Sequence, residues 1–273
     1  MKKIGILFLG LMSVFSFSQN TRFVYQVSMK TDSTAAPKIE NAYLDISTEK
    51  SIFYGEKRMK RDSTIRQAME TRNFNFDRNS MEQFRTAITY SIEKNHATKT
   101  ISYKDRIARD QYWYDEDRTF NWKILPETVK IGEYETQKAE TTFAGRKWFA
   151  WFTQDLPFID GPYKFSGLPG LIVKVEDEKG DYSFDLKETK KIAELPNFES
   201  RFGNNIKVKR SEFLKQQEKF NKDPMSFFQN QGGGFAMRMG GNQNPQNEAE
   251  RRKMMEERLK EEAKANNNPL EKN

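Results

Sequence analysis

Side chains able to do chemistry are scarce in this chain. Its 273 residues include no cysteine and a single histidine, His96. That excludes thiol nucleophiles, redox pairs, cysteine-based zinc sites and multi-histidine zinc sites, each of which needs side chains the chain lacks. His96 follows Asn95 between two strand-like runs, with serines nearby but no nucleophile elbow, and reads as a turn histidine. Carboxylates are what remain. Asp115-Glu116-Asp117 could offer oxygen ligands to Ca2+, but the EF-hand spacing is absent and the cluster reads as a hairpin turn. Asp155 and Asp160 flank the bend at Pro157. They would serve as an acid–base pair only if they converged; the plainer reading is that each bonds nearby backbone amides. Met237, Met239, Met254 and Met255 carry thioethers suited to Cu(I), yet scattered methionines in a polar segment are usually incidental. No metal and no cofactor is expected.

The elements that must position these residues are strands. Phe23, Tyr25, Val27 and Met29 alternate with polar neighbours, the period of two that marks a half-buried strand. Similar runs surround Leu44 and Ile46, Ile52 and Phe53, Ile88 to Ile92, Ile101 and Tyr103, and Tyr112 and Tyr114. Phe120 to Ile124, Val129 to Gly132, Tyr134 to Phe143, Lys147 to Phe152, Leu171 to Glu176 and Tyr182 to Leu186 continue the pattern. Asp177-Glu178-Lys179-Gly180 suits a hairpin turn between the last two. Roughly nine to eleven short strands lie in the range where a sheet curls or closes. The predicted fold is mainly β: a strongly curved antiparallel sheet, half-open and barrel-like, with short helices and a C-terminal polar helix and tail. Helices are expected over Asp62 to Arg72, from Ser211 to Phe220, and over Glu248 to Ala265, the last anchored only by Met254, Met255 and Leu259.

Met1-Lys2-Lys3, the apolar run Ile4 to Phe17 and the small residues Ser16 and Ser18 predict a secretory signal peptide cleaved before Gln19. The run is shorter than the about 20 residues of a spanning helix, and no second long one follows, so the mature chain is not expected to span a membrane. The domain reading is a signal peptide over 1–18, a β domain over 19–205 and a short helical extension over 206–228. A Gly/Asn/Gln-rich linker and charged helix, largely flexible, fill 229–273. Without disulfides, the 22 Phe, 10 Tyr and 4 Trp must supply the core. The net charge of +7 is scattered among acidic residues and forms no basic stripe, so no nucleic-acid partner is expected.

The most informative stretch is Trp148 to Ile172. Pro169-Gly170 is a type II turn pair, and Gly161-Pro162 forces a second bend. The hexapeptide Gly167-Leu168-Pro169-Gly170-Leu171-Ile172, with Trp151-Phe152-Thr153, Asp155-Leu156-Pro157 and Gly161-Pro162 upstream, resembles the signature of the GLPGLI family of exported Bacteroidota proteins. The resemblance extends over residues 20 to about 200, including Ile131-Gly132-Glu133-Tyr134 and Gln137-Lys138-Ala139. It implies export and no defined reaction, with some members encoded beside outer-membrane receptors. Many members place a cysteine near Thr136, where this chain has none, so no role for that thiol transfers.

Trp148, Trp151, Phe158, Tyr163 and Phe165 form the candidate ligand- or partner-binding surface, weighed against core packing beneath the two turns. The expected function is an exported, non-enzymatic binding or interaction protein of the bacterial cell envelope. It would hold a hydrophobic small molecule or dock an outer-membrane protein. The alternatives are a structural or assembly component of the envelope and a carboxylate-based hydrolase; oligomeric state is left open.

Overall fold

Apolar residues at every second position give a strand one buried face, and the faces of successive such strands must meet to form a core. In the computed structural model this happens on one side of a single sheet. The structure describes residues 20–73, 83–198, 203–224, 227 and 245–272, without the side chains of 245–252, 255 and 262. The expected signal peptide, Met237, Met239 and the side chain of Met255 lie outside the described residues.

The strands are β1 (Asn20–Met29), β2 (Lys38–Ile46), β3 (Lys50–Gly55), β4 (Ser91–Asn95), β5 (Ile101–Ile107), β6 (Asp110–Asp115), β7 (Lys123–Ile131), β8 (Tyr134–Phe143), β9 (Arg146–Thr153), β10 (Leu171–Asp177), β11 (Tyr182–Ile192) and β12 (Asn205–Lys207). They form one sheet in the order β12-β6-β5-β4-β3-β2-β1-β11-β10-β9-β8-β7. Every pairing is antiparallel except β12 with β6. Two meanders, β1 to β6 and β7 to β11, are joined where β1 pairs with β11 from Asn20↔Ile192 to Met29↔Tyr182. The edges β12 and β7 do not meet, so the sheet stays half-open. The helices are α1 (Glu56–Thr71), α2 (Arg210–Lys222) and α3 (Pro245–Lys264).

Curvature follows from one ring contact. Phe53 on β3 and Phe184 on β11 are separated by two strands, about 14 Å across a flat sheet. Their ring centroids are 6.1 Å apart. The sheet therefore curls around its apolar face, where Phe23, Leu44, Phe53, Trp148, Phe152 and Phe184 form the core.

Four local expectations change. Ile88 to Tyr90, expected within a strand, lead into β4, which starts at Ser91. Phe120 and Trp122 belong to the connection before β7, not to a strand; Phe120 packs on Phe143 with centroids 4.3 Å apart. Helix α1 starts at Glu56, ahead of the expected Asp62, with Glu56 paired to Lys60 one turn on at 2.8 Å. The turn at Pro169 is closed by Gly170 N–H donating to the Leu168 carbonyl at 2.8 Å, a three-residue turn in place of the type II turn.

Gly170 has φ +145°, and a Cβ there would stand 2.0 Å from the Thr153 carbonyl oxygen. Gly132, at φ +61°, has nothing within 4 Å of the same position. Gly170→Ala should therefore lose at least about 3 kcal/mol, strain and overlap together, and Gly132→Ala about 1 kcal/mol. Urea unfolding of the two variants measures the difference; equal losses would contradict this account of the turn.

Candidate functional site

The segment between β9 and β10 crosses the concave face, pinned by one side chain from β4. Lys94 Nζ donates to Asp160 Oδ1 at 2.5 Å, to the Gly161 carbonyl at 2.6 Å and to the Phe165 carbonyl at 2.8 Å. Ser51 Oγ donates to Asp160 Oδ2 at 2.5 Å, and exposed His96 places Nε2 3.8 Å from that oxygen. Burial opposes the Asp160 carboxylate, but the Lys94 ammonium, nearby His96 and the bonds from Lys94 and Ser51 outweigh it and hold its pKa below the usual range. Burial pulls the Lys94 pKa down against the pull of Asp160. The Asp160 carboxylate 3.8 Å away raises the His96 pKa. Asp160 also accepts Gly161 N–H at 2.7 Å, as a turn-forming aspartate does. Asp155 is exposed while Asp160 is buried on a lysine, and Ser51 is fully buried. The arrangement fixes a loop; it does not assemble two carboxylates at a surface.

Within that loop Tyr163 takes φ +53°, a conformation of order 1–3 kcal/mol uphill for a bulky residue. The Lys94 bonds on either side hold it there, and Lys164 is turned inward. Lys164 is completely buried, with Nζ 2.6 Å from Glu116 Oε2, 2.6 Å from Glu271 Oε1 and 3.0 Å from the Tyr114 hydroxyl. Its ammonium stands 5.0 Å, 5.1 Å and 5.4 Å from the ring centroids of Tyr103, Tyr114 and Tyr163, an aromatic cage. Arg118 grips Glu116 with Nε at 2.7 Å and Nη2 at 2.8 Å. Burial works against Glu116, but Arg118 and Lys164 bring its pKa down to about 2. Burial lowers Lys164, and Glu271, Tyr114 and Glu116 more than restore it, so its pKa is raised. The acidic cluster read as a hairpin turn is thus divided: Glu116 enters the core, while Asp115 pairs with Lys207 at 2.8 Å.

Glu271 arrives from the chain's C-terminal segment, assigned from sequence to a largely flexible tail. The described residues 266–272 are instead seated on the sheet. Arg146 on β9 reaches Asn268 Oδ1 and the Pro269 carbonyl at 2.7 Å each and the Leu270 carbonyl at 3.0 Å, while pairing with Asp177 at 2.7 Å. Asn268 N–H donates to the Thr31 carbonyl at 2.8 Å, and Tyr182 donates to the Asn268 carbonyl at 2.6 Å. Gly145 leaves room for Lys272, whose Cβ would lie 2.8 Å from a Cβ added there. The only sequence signal for this was Pro269-Leu270, an apolar residue set behind a proline in a polar tail.

Between this segment, α2 and the sheet lies a cavity of about 370 Å³, lined by Tyr90, Tyr103, Tyr114, Tyr163, Tyr182 and Phe213 among others. Tyr103 stacks between Tyr90 and Tyr114, 5.2 Å from each. Burial pushes the phenols of Tyr90, Tyr103, Tyr114 and Tyr163 up, and that of Tyr182 to about 12. All five are therefore protonated donors near neutral pH. Among the described residues the Tyr90 and Tyr103 hydroxyls have no hydrogen-bond partner. Asp105 also reaches the wall, its pKa raised by burial against the pull of Arg58.

The five aromatic residues singled out from sequence do not form one surface. Trp148 and Phe165 are core, their rings 4.8 Å apart. Phe158 is half-buried on Phe23 at 5.3 Å. Trp151 projects from the other face of β9 beside Lys138 and Lys174, in a shallow groove along β7. Tyr163 alone of the five lines the cavity. Of the signature residues, Leu168, Leu171 and Ile172 are buried, and Gly167 and Gly170 take positive φ. Tyr90, Tyr103 and Tyr114 read only as strand residues in sequence, because alternation shows which face a residue takes and not what meets it there. Thr136 is buried and donates to the Val129 carbonyl at 2.5 Å.

Residues 141–174, from the end of β8 into β10, match the model of a Bacteroidota-type family described as "Protein of unknown function (Porph_ging)". No curated protein matches the chain. A crystal structure of PNGF-II superposes with TM-score 0.51 at 19% identity, covering 72% of this chain and 33% of that one. A second crystal form gives TM-score 0.52 at 17% identity, covering 72% and 32%. The chain thus spans about a third of the PNGF-II chain, and the likeness is one of fold. The LolA superfamily protein NE2245 from Nitrosomonas europaea aligns over 66% of this chain and 88% of its own at 10% identity, but its TM-score of 0.28 is too low to imply a shared fold.

Two substitutions test these buried charges. Lys94→Met leaves Asp160 buried without its cation and should cost about 3–5 kcal/mol in urea unfolding. Glu116 has a folded pKa of about 2 against an ordinary 4.5. Its stabilising contribution is present in full above about pH 4.5 and is lost as pH falls toward 2. The urea midpoint of the unaltered protein should fall across that window, and that of Glu116→Gln should fall less steeply. Parallel profiles would contradict the assignment.

Proposed function

We propose that this chain is an exported, non-enzymatic binding protein of the bacterial cell envelope, and that its ligand is an apolar small molecule held against the concave face. The cavity of about 370 Å³ between the sheet, α2 and the C-terminal segment carries this reading. Its size falls within the roughly 300–1,000 Å³ of small-molecule sites, and its walls combine apolar area with a few aimed polar groups, as such sites do. Tyrosine rings supply flat apolar surface, and the free hydroxyls of Tyr90 and Tyr103 can each donate one hydrogen bond to orient an occupant. No helix among the described residues is long and apolar enough to cross a membrane. Export rests on the sequence of Met1 to Ser18.

Titration of the full mature chain with the neutral fluorescent dye N-phenyl-1-naphthylamine tests the site. Saturable binding is expected, and Ala87→Trp, which fills the cavity from its wall, should weaken it by about tenfold or more. Circular dichroism of the variant confirms that the sheet is intact. An absence of binding, or binding unaffected in a folded Ala87→Trp protein, would remove the cavity as the ligand site.

A further inference from the structure

The surroundings of Glu271 are more specific than the cavity itself. Its carboxylate accepts from Lys164 Nζ and the Tyr163 hydroxyl on Oε1, both at 2.6 Å. Oε2 accepts from Arg118 Nη2 at 2.7 Å and Arg210 Nη2 at 3.5 Å. Two donors thus face each oxygen, a geometry fitted to a planar two-oxygen anion. The donors stand on the β9–β10 loop, the β6–β7 connection and α2; only the acceptor is carried by the C-terminal segment. Leu270, next to Glu271, lines the cavity, so the segment presents an apolar group and a carboxylate side by side.

Charge decides what can take its place. Lys164, Arg118 and Arg210 face Glu116 and Glu271. An uncharged molecule that displaced the segment and filled its space would leave Lys164 and Arg118 sharing the one carboxylate of Glu116, with Lys164 still out of water. Breaking a buried pair on one side is strongly unfavourable, whereas exchanging one carboxylate for another keeps every donor satisfied. We infer that the ligand is an apolar small molecule ending in a carboxylate, as a long-chain fatty acid does. Its head group replaces Glu271 between Lys164, Tyr163 and Arg118, its body lies along Tyr90, Tyr103 and Phe213, and the C-terminal segment is released. The segment is on this view a tethered competitor. The inference rests on the binding reading above and adds the head group and the exchange.

The test uses the full mature chain, with cis-parinaric acid and its methyl ester as fluorescent probes at neutral pH. On the unaltered protein the acid should bind at least about tenfold more tightly than the ester, because only the acid satisfies the basic donors. Glu271→Gln keeps the segment's size but removes the competing charge. It should raise affinity for the acid by about tenfold and change that for the ester by less than about twofold. Equal binding of acid and ester to the unaltered chain overturns the inference, whether or not the variant folds. So does a folded Glu271→Gln protein in which acid and ester affinities rise together, since the segment would then act as a steric plug only. Both of those results leave the cavity standing as a ligand site. If neither probe binds and N-phenyl-1-naphthylamine also fails, the binding reading itself falls.

Discussion

A lysine ammonium inside a protein must find acceptors in place of water or give up its charge, and the concave face is organised around one that does. Lys94 spends its three donors on Asp160 and on the carbonyls of Gly161 and Phe165. Those bonds pull the long β9–β10 connection down onto the sheet. They bracket Tyr163 in its left-handed conformation, and Lys164, the next residue, is aimed inward onto Glu116 and Glu271. The pair is thus better understood as a positional device than as a source of net stability, in keeping with the poor return of buried ion pairs measured against apolar packing.

A second buried lysine continues the chain of dependence. Lys164, set by the loop that Lys94 fixes, is bonded to Glu116 and Glu271 and so connects the β6–β7 connection with the C-terminal segment. Arg146 does the same at the other end, joining the segment to the β10–β11 hairpin through Asp177. The tyrosine-lined cavity is what these anchors enclose. Its walls come from β5, β6, the loop, β11, α2 and the segment; β5 and β6 pair directly and α2 packs on them through Phe213, while buried charges tie the loop and the segment to them.

The sheet was legible in sequence because its signal is local. Phe23, Tyr25, Val27 and Met29 announce a one-sided strand by alternation alone, and all four are buried together. The Asp177–Gly180 turn was legible for the same reason, since Gly180 supplies the positive φ at its end. The site was not. Lys94 and Lys164 carried no signal and Glu116 stood out only within an acidic turn, because a charged residue is usually solvated and its burial depends on a partner far along the chain. The aromatic residues around the signature turn were visible as a group, yet the alternation of β9 sends Trp148 and Trp151 to opposite faces. Leu270-Glu271 was hidden in a polar tail whose composition resembles linker sequence.

The pairing of β1 with β11 has a consequence for how the molecule is made. β1 leaves the N-terminal end of the described chain and lies in the middle of the sheet, between β2 and β11. Until Tyr182 to Ile192 have been synthesised, one edge of β1 can bond only to water or to another chain. Such long-range strand pairing is intrinsically slow, because the loop must close before its contacts are gained. A chain that crosses a membrane unfolded would then complete its sheet only after β11 had passed, and residues 266–272 would reach the concave face later than the strands they cover.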